Sequence, residues 1–115
     1  IIAKRPIANT AWGADTSPTA HKKHVPEYGD EYWKRTQAMA ALGPIEIPLN
    51  DRILMSLGFV MSHEEIATAI VGTRNPEHLK SNIDLCNSSL PIDKSVVTEL
   101  YRRWDELDDN WVGQI

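Results

Sequence analysis

Apolar positions along this chain fall into two strand-like runs and four helical stripes, separated by polar turns rich in Gly, Pro, Asn and Asp. The opening run Ile1-Ile2-Ala3-Lys4 is closed by Arg5-Pro6, since proline supplies no ladder N–H and fixes the turn that follows. From Ala8 to Tyr28 no period is sustained. That segment reads as a loop longer than a structural connection needs, and long loops in compact domains are often functional. A helix is predicted over Asp30 to Leu42, with good formers at Ala38, Met39, Ala40 and Ala41 and a stop at Gly43-Pro44. A second is predicted from Asn50, as N-cap, to about Met61, with Ile53, Leu54, Leu57 and Val60 at helical spacing.

Ser62 to Val71 carries two signals. Ser62-His63-Glu64-Glu65 has the form of a capping box that opens a helix. Ile66-Ala67-Thr68-Ala69-Ile70-Val71, halted by Gly72, reads better as a buried strand of a parallel sheet. The strand is the reading adopted. Asn75-Pro76 then caps a helix that is expected to bury Leu79, Ile83 and Cys86. Asp93 caps a last helix whose stripe is Val97, Leu100, Tyr101, Trp104 and Leu107. Trp111 and Ile115 follow as a tail expected to lie on the body. The order strand, loop, helix, helix, strand, helix, helix predicts an α/β chain, helix-rich with two short parallel strands.

Composition narrows the function. The 115 residues are 42% hydrophobic and 24% charged, enough for one globular unit and too few for two ordinary domains. A net charge of -4 with scattered basic residues argues against nucleic acid or an anionic membrane as partner. Lys22-Lys23 and Arg102-Arg103 read as solvated pairs. Cys86 is the only cysteine, so an internal disulfide is excluded, and its apolar setting suggests a packed thiol. No apolar run reaches membrane-span length and no secretory signal is visible, so a cytoplasmic protein is expected. The first residue is Ile rather than Met, which suggests a sequence that starts inside a larger protein.

The informative stretch is Ile70-Val71-Gly72-Thr73-Arg74-Asn75-Pro76-Glu77-His78-Leu79-Lys80-Ser81-Asn82. A strand ends at a glycine, a polar turn follows, and a helix begins. The N-terminus of a helix leaves backbone N–H groups unpaired and carries partial positive charge, a recurring way to hold phosphate. Arg74 adds a cation suited to bidentate phosphate contact. His78, Ser81 and Asn82 stand at i, i+3 and i+4 and are expected on one face, where an imidazole can stack on a base and an amide can bond its edge, with Asn82 beside the opposite, apolar face and so at the helix margin. The plainer reading is that most strand–helix turns are built this way, with Arg74 solvated and Glu77 placing a like charge beside any phosphate.

This stretch resembles the last barrel strand and following helix of the aldo-keto reductases, a (β/α)8 TIM-barrel family. The opening Ile2-Ala3-Lys4-Arg5-Pro6-Ile7-Ala8-Asn9 resembles that family's seventh strand and its loop, and Asp109-Asn110-Trp111-Val112-Gly113-Gln114-Ile115 resembles the C-terminus of one bacterial subgroup. The resemblance spans nearly the whole of 1–115 and implies the C-terminal part of a TIM barrel. It implies NADP(H) as cofactor and, for a full-length enzyme, a carbonyl small-molecule substrate. By position it assigns Arg5, Pro6, Ile7 and Asn9 to the pyrophosphate side. Thr73 and Arg74 fall at the 2′-phosphate, His78, Ser81 and Asn82 at the adenosine, and Gly72 is counted with them among the cofactor-binding positions. The chain departs from the well-studied branch at Gly72, where that branch has lysine, at His78, where it has arginine, and at Lys4, where it has the tyrosine that stacks on nicotinamide. The phosphate charge then rests mainly on Arg74.

The family reduces carbonyls by hydride transfer, with a tyrosine as proton donor assisted by lysine, aspartate and histidine from the first four strands. No stretch of this chain matches those four, and none of Tyr28, Tyr32 or Tyr101 is assigned a catalytic role. His21, His24 and His63 lack the paired carboxylate and spacing of a metal or acid–base site. Trp12 is a candidate wall of a substrate pocket or a packing residue. Two readings therefore compete: the NADPH-binding portion of an oxidoreductase, and a non-enzymatic α/β fragment that self-associates or binds a partner. A two-strand sheet has two open edges and an uncovered face, so self-association or a missing N-terminal portion is expected.

Overall fold

The computed structural model describes residues 1–8, 28–47 and 51–113. Its elements run β1 (Ile2–Lys4), α1 (Tyr28–Ala41), α2 (Arg52–Met61), β2 (Thr68–Ile70), α3 (Pro76–Ser89) and α4 (Lys94–Leu107). The chain is α/β and helix-rich, with two short strands that pair in parallel, Ile2 opposite Thr68, Ala3 opposite Ala69 and Lys4 opposite Ile70. The Ala67 N–H, which donates to the Ile1 carbonyl at 2.9 Å, extends that ladder by one bond. The strand reading of the ambiguous segment holds, but the strand is three residues long rather than six and is not buried: Thr68 and Ile70 are exposed, and only Ala69 between them is half-buried. His63, placed in the alternative capping box, instead closes α2: its Nδ1 lies 2.8 Å from the Phe59 carbonyl, and its ring meets Phe59 edge-on.

Helix ends needed two corrections. Tyr28, expected in the loop, opens α1. The cap of α2 is Asp51, not Asn50: its carboxylate accepts from the N–H groups of Ile53 and Leu54 at 2.7 and 3.0 Å. Asp and Asn cap equally well, so two neighbouring cap residues gave the sequence no means of choosing. Asn50 itself, most of the 8–28 loop including Trp12, and Ile115 lie outside the described residues. At the end of α1, Gly43 adopts φ 106°, the left-handed conformation for which glycine is the default.

The chain divides into two compact units, one made of residues 1–7 and 45–99, the other of 8–44 and 100–115. In the first, α2 packs on β2 and α3, and among the described residues the buried apolar side chains are Leu54, Leu57, Ile92 and Val96. Gly58 is what lets Ile92 lie against α2. A methyl group built on Gly58 would fall on Ile92 Cγ2 well inside van der Waals separation. Gly58→Ala is expected to destabilise by about 1–3 kcal/mol, since overpacking outweighs the gain in helix propensity. Urea unfolding checks this, and an unchanged or raised midpoint would refute the close approach.

Two apolar stripes sit differently from expectation. No residue of α3 is buried: Leu79 is 47% exposed, Ile83 50%, and Cys86 is half-buried. The stripe exists, but α3 lays it beside an open groove instead of a closed core. On α4 the buried positions are Val96 and Arg103, while Tyr101 and Trp104 of the expected stripe are exposed. Arg102 and Arg103 are therefore not alike. Arg102 is a solvated partner of Glu106 at 2.6 Å, whereas Arg103 is 4% exposed in the second unit. There its Nη1 donates to the carbonyls of Met39 and Gly43, both at 2.7 Å, and its Nη2 to Pro44 O at 3.4 Å. These carbonyls end α1 and its turn, where the helix has acceptors without intrahelical donors.

In that second unit the tail does lie down, in part. Arg35, ion-paired with Glu31 at 2.8 Å, stacks 5.2 Å over the Trp111 ring and donates to the Val112 carbonyl at 2.9 Å. Trp111 meets Trp104 edge-on at 5.0 Å, and the backbone N–H of Trp111 donates to the Asp108 carboxylate at 2.7 Å. Val112 remains exposed.

Candidate functional site

The parallel register fixes the placement of the two segments singled out in the sequence. Lys4 pairs with Ile70, so Arg5-Pro6 and Val71-Gly72-Thr73 leave the same, C-terminal end of the sheet. Ligands of α/β folds bind at that end. Arg5 there has φ 56° and Ala8 has φ 44°. Left-handed backbone at a non-glycine residue costs on the order of 1–3 kcal/mol and is concentrated at binding and catalytic sites. Nothing in the residue types announced these two positions. Pro6 and Ile7 are half-buried, and Asn9 lies outside the described residues.

The second turn is held by its own side chains. The Asn75 N–H donates to Thr73 Oγ1 at 3.1 Å, and Asn75 Oδ1 accepts from the Glu77 N–H at 3.0 Å. The His78 and Leu79 N–H groups donate to the Asn75 carbonyl at 3.1 and 3.3 Å. Pro76 has no N–H to offer. The expectation of an amide-rich helix start therefore needs correcting: the amides of Asn75, Glu77 and His78 are engaged within the turn. The same residues that make a good cap, Asn75 and Pro76, remove the donors that a phosphate would use.

Positive charge at this turn comes from Arg74. Its side chain is exposed, and no hydrogen bond or ion pair engages it among the described residues. Gly72 is exposed, and a Cβ built on it would meet nothing within 4 Å, so the position has room for a side chain. Thr73 is exposed and its hydroxyl serves the turn through Asn75.

Along α3 the three candidate adenosine contacts diverge. His78 is exposed. Ser81 lies in a shallow polar groove of about 330 Å³ with Glu77, Lys80 and Asp84. Asn82 is half-buried and lies in an apolar groove of about 410 Å³ with Leu79, Ile83 and Cys86. Positions i, i+3 and i+4 span about 100° of helix circumference, wide enough for the outer two to fall on different sides. The polar groove contains the Lys80–Asp84 pair at 2.5 Å, 71% and 60% exposed, a solvated pair of the kind that stabilises a helix surface by a few tenths of a kcal/mol. Burial pushes the Cys86 thiol above its ordinary pKa, which keeps it protonated and weakly nucleophilic.

Among the described residues, no group of three or more His, Cys, Asp or Glu could hold a metal ion, and no helix is long and apolar enough to cross a membrane. No protein-family model, curated protein or solved structure matches this chain.

Proposed function

We propose that this chain is the NADP(H)-binding portion of an aldo-keto reductase, with β1 and β2 as the last two strands of its barrel and with no catalytic residue of its own. The observation that carries the reading is the common exit of Arg5-Pro6 and Gly72-Thr73-Arg74 from one end of a parallel strand pair. This brings two backbone turns and an exposed guanidinium to the edge where a dinucleotide would lie. Arg74 takes the 2′-phosphate, Thr73 and Asn75 shape the turn that presents it, and Arg5, Pro6 and Ile7 are the pyrophosphate candidates, with Asn9 assigned there by its position in the sequence alone. His78 and Ser81 are the adenosine candidates, and Asn82 a marginal one.

NADPH should bind this chain saturably and more tightly than NADH. Arg74→Ala is expected to weaken NADPH by about 1.5–3 kcal/mol, the range for a charged hydrogen bond, and to leave NADH unchanged. Fluorescence titration of both cofactors against both proteins measures this. Equal NADPH affinity in the variant would refute the assignment. Gly72→Lys places a second cation where there is open space. It should tighten NADPH over NADH by a few-fold, as expected for an exposed pair of about 0.2–1 kcal/mol. No change in the NADPH:NADH ratio would argue against a phosphate at this turn.

One observation favours the alternative of a self-associating or partner-binding fragment. Ile2 and Ile70 lie on one face of the sheet and are 65% and 57% exposed, while Ala3 and Ala69 on the other face are half-buried. Sedimentation across a concentration series, with and without NADPH, separates the readings. Association that ignores the cofactor, with no saturable cofactor binding, supports the fragment alone.

A further inference from the structure

We draw no further inference here: the strongest candidate, the apolar groove between α2, β2 and α3, carries nothing because nothing in the structure shows what covers it.

Discussion

Replacing Arg103 with methionine is expected to lower stability by roughly 3 kcal/mol or more, since hydrogen bonds from a charged group contribute about 1.5–3 kcal/mol each and two short ones are lost. Methionine keeps much of the side-chain volume, so the effect isolates the guanidinium. What it leaves behind are two part-buried carbonyls at the negative end of the α1 dipole, that of Gly43 and that of Met39, which keeps only the bond from the Leu42 N–H at 3.3 Å. Arg103→Lys keeps the charge but offers a point donor instead of a planar fork, and should recover part of the loss. The local signature is faster amide exchange at Leu42 and Gly43, whose N–H groups donate to Met39 and Ala40. A methionine variant with an unchanged urea midpoint and unchanged exchange there would show that the guanidinium does not hold this turn.

Arg103 also shows where the sequence was silent. Val96, Leu100, Arg103 and Leu107 follow i, i+4, i+7 and i+11, a regular helical stripe that sequence reading interrupts because one member is charged. Reading Arg102-Arg103 as a solvated pair was correct for the first residue only. The usable signal was distant: a helix ending at Gly43-Pro44 has carbonyls in need of a donor, and a long side chain on a packed stripe can supply one. By contrast, the four helices and β2 were legible, because helical spacing, cap residues and a β-branched run stopped by glycine are all local signals. Local signals do not tell how deeply a stripe is covered. Leu79, Ile83 and Cys86 have the right spacing on α3, yet their burial depends on what packs against them.

That the turns after β1 and β2 share one end of the sheet was legible in the sequence, and their hydrogen bonding was less so. Register could not be read from Ile2-Ala3-Lys4 and Thr68-Ala69-Ile70 separately, although strand-then-polar-turn at both places pointed to one sheet edge. The helix start of α3 was read as a source of free amides because helices in general have them. Here Thr73, Asn75 and Pro76 satisfy or abolish those donors, so the electrostatic case falls on Arg74. The left-handed backbone at Arg5 and Ala8 left no trace in residue type, since glycine or asparagine would be the usual marker.

Leu54→Ala should cost about 2–5 kcal/mol, the range for truncating a leucine in a closed core. Leu54 is fully inaccessible, and among the described residues the other buried apolar side chains are Leu57, Ile92 and Val96. Leu79→Ala is the matched control: the same atoms leave a side chain that is 47% exposed, and about 1 kcal/mol or less should be lost. Urea unfolding of both variants, compared at equal slope, tests whether packing in the first unit centres on α2. A larger loss for Leu79 than for Leu54 would mean that the groove beside α3 is covered in solution, and would move the centre of the core from α2 toward α3.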